Sequence, residues 1–199
     1  MSEPRIGRFL VASLHQSIAE LLPDRLEFYE NWLSVSGLRE GTIGLAPLLA
    51  VLSFLRGEGD AYREVTTRAG QYAADWTVDG LPPFQRRLFA LLPPRLRTRA
   101  AIRTVRQLVR ATYPGSRVIV RVEKDAASVD LRGSLFCEVR EPSPGPLCGF
   151  YTAAITRVLH RFDVPAEARV ETCRAESRGP GCLMRFVVRP SDAAEAAVS

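Results

Sequence analysis

The sequence lacks the features that mark several specialised classes of protein. Four cysteines in 199 residues are too few for a small secreted scaffold held together by disulfides, and 46% hydrophobic residues exceed what a disordered chain contains. The most apolar stretch, residues 43–55, includes Pro47 and is shorter than the roughly 20 residues that a bilayer requires. The two histidines, His15 and His160, have no G-x-S-x-G elbow to accompany them, so a Ser–His–Asp hydrolase is not predicted.

What remains is the composition of one globular domain. We expect this domain to cover residues 1–190 and a small, polar and flexible tail to cover residues 191–199. Glu3 and Pro4 interrupt the start, and polar residues recur on a helical period after them, so no signal peptide is predicted and a cytoplasmic location is expected. In that compartment clustered cysteines point to metal or thiol chemistry.

Positive charge is concentrated in one part of the chain. Ten arginines and no Asp or Glu lie in residues 80–122, so this window carries +10 while the rest carries −5 of the net +5. Within it Arg99, Arg103, Arg106 and Arg110 form a stripe along one predicted helix. The stripe is either a solvated helix face or an anion site for ligand carboxylates, an acidic partner or membrane lipid. Nucleic acid is not predicted, because no recognition motif is present.

The hydrophobic periodicity changes along the chain and predicts an α+β fold. Up to residue 115 apolar residues recur at helical spacing, and afterwards they alternate as in strands. We predict a helical N-terminal half packed on a four-stranded antiparallel sheet, built from two hairpins separated by a helix. The predicted helices cover residues 6–22, 26–37, 42–56, 60–76, the stretch between Pro82-Pro83 and Pro93-Pro94, 95–113 and 148–162, and the strands cover 118–123, 128–139, 168–174 and 182–189, with a turn at 124–127.

The four cysteines all lie in the last third of the chain, beside the predicted sheet. Cys173 and Cys182 are predicted to be neighbours on paired strands, and Glu171 lies on the same strand face as Cys173. Cys148 opens a helix, where exposed N–H groups favour the thiolate. Three interpretations stay open from spacing: small buried hydrophobes, a tetrahedral zinc site completed by a carboxylate or a fourth thiolate, and a disulfide or redox pair.

Three motifs together resemble the bacterial and archaeal 4-vinyl reductase domain. They are Cys148-Gly-Phe-Tyr-Thr at a helix start, Val170-Glu-Thr-Cys173, and Gly179-Pro-Gly-Cys182-Leu-Met-Arg-Phe. The family is related in fold to the Bet subunits of the TRAPP tethering complex, and includes sensing domains of phenol-responsive activators and a bacteriochlorophyll-synthesis protein. Its sensors bind zinc through a Cys, a Glu and two further Cys, which match Cys148, Glu171, Cys173 and Cys182. Here only Thr172 separates Glu171 from Cys173, and the loop before Cys182 is one residue longer, so Cys137 is the substitute for Glu171 as fourth ligand.

The resemblance implies a non-catalytic domain that binds an apolar or tetrapyrrole-like small molecule and acts through a separate partner protein. It also implies a structural zinc beside the ligand pocket and a homodimer formed through the helical half. Trp76, Phe89 and the arginine stripe, which would hold propionate groups, are the candidate ligand contacts.

Two alternatives stay open. One is an accessory protein or reductase component of bacteriochlorophyll or tetrapyrrole metabolism. A 4-vinyl reductase activity would need an external electron donor, because no flavin, nicotinamide or iron–sulfur motif is present. The other is a TRAPP-like scaffold without a ligand.

Overall fold

The chain folds as a helical half followed by an antiparallel sheet, so the predicted α+β class is confirmed. The structure, a computed structural model, describes residues 6–33, 44–122 and 126–188. The predicted tail, the predicted helix residues 34–37, 42 and 43, and residues 124 and 125 of the predicted turn lie outside these ranges. The other two residues of that turn, 126 and 127, are the first residues of the second strand. The elements are α1 (Arg8–Leu21), a 3₁₀ helix (Pro23–Arg25), α2 (Leu26–Glu30), α3 (Leu45–Gly57), α4 (Asp60–Asp79), α5 (Pro83–Leu91), α6 (Pro94–Thr112), β1 (Arg117–Val122), β2 (Ala126–Arg132), a 3₁₀ helix (Leu135–Cys137), α7 (Gly149–Arg161), β3 (Ala166–Thr172), α8 (Arg174–Ser177) and β4 (Cys182–Val188).

The sheet has the strand order β1-β2-β4-β3, and every neighbouring pair is antiparallel. Val129 lies opposite Val120 on β1 and opposite Met184 on β4, and Met184 in turn lies opposite Val170 on β3. This row faces the protein interior, since Val129 and Met184 are buried. The alternation of apolar and polar residues along these strands therefore sets which face of the sheet joins the core.

The centre of the core is the close contact between α4 and α7. Small residues allow this approach: a Cβ added to Gly70 would lie 2.2 Å from the carbonyl oxygen of Phe150, and Ala69, Ala73 and Ala74 on the same helix are buried. The two helices are also joined at their C-terminal ends by ion pairs. Arg157 and Arg161 donate to the Asp75 carboxylate at 2.9 and 2.8 Å.

Two predicted strands end earlier than expected, and both differences matter for the cysteines. The second strand was predicted to residue 139 but ends at Arg132, because Gly133 adopts a left-handed conformation (φ 69°) and the chain then forms a 3₁₀ helix ending at Cys137. The third was predicted to residue 174 but ends at Thr172, after a register shift between Val170 and Thr172, and α8 begins directly after Cys173.

No helix in the three described ranges is both long and apolar enough to cross a bilayer.

Replacing Gly70 with alanine tests the close contact of α4 and α7. The added methyl group would collide with backbone of α7, so either helix must shift. We expect the free energy of unfolding to fall by about 2 kcal/mol, and the melting temperature to fall by roughly 4–8 °C. Gly57→Ala is the control, because nothing lies within 4 Å of its added Cβ. Equal melting temperatures for the two variants would contradict this packing.

Acid titration tests the Asp75 ion pairs. Burial alone would raise the pKa of Asp75, but hydrogen bonds from Arg157 and Arg161 outweigh it and hold the pKa below its ordinary value of 3.8. The pairs therefore stabilise the protein at pH values above 3.8 and are lost as the pH falls through the lower, folded-state pKa. We expect Asp75→Asn to cost about 1 kcal/mol at neutral pH, with a difference from the wild type that shrinks toward zero on acidification. Asp24→Asn, which removes an exposed carboxyl, is the control for the loss of one negative charge.

Candidate metal centre and adjoining cleft

The four cysteine sulfurs meet in one buried corner of the molecule. Cys137 Sγ lies 3.5 Å from Cys173 Sγ and 3.4 Å from Cys182 Sγ. Cys148 Sγ lies 3.6 Å from Cys173 Sγ, and the Cys173 and Cys182 sulfurs are 3.9 Å apart. All four sulfurs lie within 4.8 Å of one another. The predicted convergence of these residues is therefore present.

Each cysteine stands where a secondary-structure element begins or ends. Cys137 closes the 3₁₀ helix after β2, Cys148 is the N-cap of α7, Cys173 is the N-cap of α8, and Cys182 is the first residue of β4. Since element ends carry unpaired backbone groups, they suit a ligand cluster, and the Arg174 N–H indeed points at Cys182 Sγ at 3.4 Å.

The sulfur spacing fits a tetrahedral metal ion. With metal–sulfur bonds of about 2.3 Å, a tetrahedron of four thiolates has sulfur–sulfur edges of about 3.8 Å. The four separations given above run from 3.4 to 3.9 Å, and no pair of the four sulfurs is more than 4.8 Å apart. A disulfide bond is about 2.05 Å long, and all four cysteines are free. The donor set and its geometry thus match a closed four-thiolate site, and the disulfide interpretation does not describe this structure.

Hydrogen bonds within the cluster shift the pKa values of Cys148 and Cys173 in opposite directions. The hydrogen bond with Cys137, together with those to Cys173 and Cys182 and with burial, raises the pKa of the Cys148 thiol. Hydrogen bonds from Cys137, Cys148 and Cys182 lower the pKa of the Cys173 thiol. A metal ion binds cysteine as the thiolate, so the protons of the thiols would be released when the metal binds.

Several contacts outside the cluster hold the segment 135–147 in place. Arg174 Nη1 donates to Glu138 Oε1 at 2.8 Å, and the Ser143 N–H donates to the Ala175 carbonyl at 2.8 Å. From the helical side, Arg56 Nη2 donates to the Phe136 carbonyl at 3.1 Å and Tyr62 Oη donates to the Leu147 carbonyl at 3.0 Å. The segment is therefore tied both to the sheet end and to α3 and α4.

Glu171, the other candidate fourth ligand, lies outside the cluster. Its side chain is exposed and its carboxylate pairs with Arg185 Nη1 at 3.5 Å. The expectation that Glu171 and Cys173 reach one point assumed a continuous strand, but β3 ends at Thr172 and the chain turns into α8. Cys137 is the residue whose ligand atom lies with the other three.

A cleft of about 570 Å³ adjoins the cluster. One wall is the loop over residues 139–147, and the other is the end of α3 with the start of α4. The lining residues are Arg56, Gly59, Asp60, Tyr62, Arg63, Val139, Glu141, Ser143, Pro144, Gly145, Pro146 and Leu147. Sequence reasoning missed this wall, although the position of its three prolines between Cys137 and Cys148 was a usable signal.

The residues predicted to contact a ligand lie elsewhere. Arg99, Arg103, Arg106 and Arg110 are exposed on α6. The Trp76 ring stacks on Tyr72 with centroids 5.6 Å apart, and Phe89 packs on Phe162 at 5.2 Å. None of the six lines the 570 Å³ cleft or a second, apolar cleft of about 30 Å³ between α6, α7 and the sheet. Their role in ligand binding stays a prediction.

Comparisons with known proteins identify the fold. No family model and no curated protein matches the sequence. The Fe(II) unliganded H-NOX protein from K. algicida is similar to this chain with a TM-score of 0.60 and 13% identity, over 94% of this chain and 98% of that one. A phenol-responsive sensory domain, from the transcription activator PoxR with phenol, gives a TM-score of 0.48 at 14% identity, over 77% of this chain and 80% of that one. Identities this low show a fold in common with the H-NOX protein and nothing about chemistry, so membership of the 4-vinyl reductase family stays a prediction.

The placement of Cys137 and Glu171 gives a direct test of the ligand set. We expect Cys137→Ser to weaken zinc binding by at least about 100-fold in competition with a chromophoric chelator, because a thiolate ligand is lost. Glu171→Gln should bind zinc as tightly as the wild type, because the carboxylate points away from the cluster. Loss of affinity in Glu171→Gln with retention in Cys137→Ser would reverse the assignment.

Proposed function

We propose that this chain is a non-catalytic small-molecule-binding domain in which a structural zinc ion fixes one wall of the ligand site. The observation that carries the proposal is the position of the loop over residues 139–147. This loop forms a wall of the 570 Å³ cleft, and the clustered residues Cys137 and Cys148 flank its two ends. A metal held by the cluster would therefore fasten both ends of the wall.

A structural role suits the chemistry of the cluster. Four buried thiolates complete a tetrahedral shell and leave no position for water or substrate, as in structural rather than catalytic zinc sites. When bound, zinc would supply a cross-link among four segments, in addition to the pairing of β3 with β4 and the hydrogen bonds that hold residues 135–147. The Arg174 N–H would keep its hydrogen bond to Cys182 Sγ and offset part of the negative charge of the thiolates.

The cleft favours a ligand with an apolar body and an anionic group. Its volume lies in the range of small-molecule sites. Val139, Pro146 and Leu147 offer apolar surface, and Arg56 offers a guanidinium group. The other charged lining residues are Arg63, which pairs with Asp60, and Glu141. Arg56 Nε is buried without a hydrogen-bond partner among the described residues, so it retains a proton to donate. Any carboxylate of the ligand would meet Arg56 rather than the α6 stripe, because Arg63 is paired with Asp60.

The remaining parts of the proposal concern partners. Fold-level analogy with an H-NOX protein described as unliganded supports a ligand-binding role. We propose further that the domain forms a homodimer through its helical half and passes its signal to a separate protein.

Metal analysis and thermal unfolding test the zinc. We expect one zinc per chain after purification without added metal, and a melting temperature that falls by roughly 10 °C on chelation and recovers with zinc. In Cys173→Ser/Cys182→Ser, chelation should have no further effect. Iron in place of zinc would overturn the metal assignment, and an unchanged melting temperature would overturn the structural role.

A fluorescent probe tests the ligand site. Anilinonaphthalene sulfonate has an apolar body and one negative charge, so we expect it to bind the cleft. Gly145→Phe should fill the cleft, because nothing lies within 4 Å of an added Cβ there, and should weaken probe binding by about tenfold. Gly145→Ala is the matched control and should bind the probe like the wild type. Equal affinities in all three proteins would place the probe elsewhere and contradict the proposed site.

A further inference from the structure

The short helix α5 presents an apolar stripe to solvent. Phe84, Leu88 and Leu91 recur at spacings of four and three residues, which places them on one helix face, and they are 67%, 52% and 83% exposed. Leu96, in the first turn of α6, is also exposed, at 42%. Large apolar side chains exposed together, rather than singly, usually mark a surface that contacts something apolar.

The opposite side of α5 fixes this orientation. Phe89 packs against Phe162, which follows α7, with ring centroids 5.2 Å apart. Arg86 pairs with Asp79 at the end of α4 at 3.6 Å, and Arg97 in α6 pairs with Asp163 at 3.2 Å. The stripe is thus held outward by contacts on the other side of the helix.

The surroundings of the stripe are positively charged. Arg87 adjoins Phe84 and Leu91 on the helical wheel, and Arg95 and Arg99 lie on the first two turns of α6, all three exposed. In the part of the chain that the structure describes, no carboxylate lies within ion-pair distance of these three arginines, and residues 80–122 contain no Asp or Glu at all. An apolar stripe flanked by unpaired cations is complementary to an apolar layer covered by anionic groups.

We infer that α5 and the first turn of α6 form a peripheral docking site for an anionic lipid bilayer. Phe84, Leu88 and Leu91 would enter the region between headgroups and acyl chains, while Arg87, Arg95 and Arg99 contact lipid phosphates or carboxylates. A second copy of the chain fits less well, because a two-fold contact of this face would oppose arginines to arginines. The side chains also project from the surface, which suits insertion into a layer better than insertion of a partner into a groove. This site is separate from the cysteine cluster and the cleft, so it does not depend on the proposed function.

Sedimentation with vesicles tests whether the exposed apolar side chains contribute to lipid binding. We expect the full chain to bind vesicles of phosphatidylcholine mixed with phosphatidylserine at least about tenfold more strongly than vesicles of phosphatidylcholine alone. Leu88→Ser/Leu91→Ser should reduce binding to the anionic vesicles by about tenfold or more. Val122→Ser/Val187→Ser removes two exposed aliphatic side chains outside the stripe and should bind like the wild type. Circular dichroism and melting temperatures show that each variant is folded.

Charge variants and added salt test the electrostatic part of the inference. Arg87→Gln/Arg95→Gln should weaken binding to anionic vesicles by about tenfold or more, and added salt should weaken wild-type binding. Arg140→Gln/Arg169→Gln removes the same charge outside residues 80–122 and should have a smaller effect. The inference is overturned by equal binding to neutral and anionic vesicles, or by patch variants that match their controls. It is also overturned if light scattering shows a dimer that dissociates in Leu88→Ser/Leu91→Ser, because a second copy would then cover the stripe.

Discussion

The C-terminal third of this protein depends on bringing four thiols from separate segments into one buried corner. Two of them come from hairpin partners, one from the 3₁₀ helix after β2 and one from the start of α7. Without a metal the contacts among them are weak sulfur hydrogen bonds, and burial favours the neutral thiols. A metal ion would change this balance, since it would cross-link the ends of four secondary-structure elements. The loop over residues 139–147, which forms a wall of the larger cleft, lies between Cys137 and Cys148 and is also held by hydrogen bonds from Arg56 and Tyr62 to its flanks.

The rest of the molecule separates its surfaces by charge and polarity. The cleft lies where the loop over residues 139–147 meets the end of α3 and the start of α4, whereas the exposed Leu88, Leu91 and Leu96 and the arginines beside them lie on α5 and α6. The packing of α4 against α7, tightened at Gly70 and joined by Asp75, is the part of the core between the helical half and the sheet. A proposed ligand site and a proposed membrane-facing site therefore occupy different elements, so a mutation in one can be made without altering the other.

The local pattern of apolar residues predicted the type of element correctly wherever one face of that element is buried. The change from helical to alternating periodicity predicted the α+β order, and Val129 and Met184 lie on the buried sheet face as alternation requires. The same pattern did not predict where two of the strands end. Gly133 and the register shift before Thr172 redirect the chain, and these two turns decide that Cys137 joins the cluster and Glu171 does not. The apolar cleft of about 30 Å³ between α6, α7 and the sheet also results from tertiary packing, and residue spacing in the sequence does not predict it.

The amino-acid sequence alone determined the class of fold, the four sulfur donors and the excess of arginine over carboxylate in residues 80–122, because these follow from residue identity and short-range periodicity. Tertiary structure decided which four donors meet, where the large cleft lies and which apolar side chains remain in solvent. Those outcomes depend on turns of one or two residues and on contacts between segments far apart in the chain, such as Cys137 with Cys182 and Arg56 with the Phe136 carbonyl. Such contacts arise only when the whole chain packs.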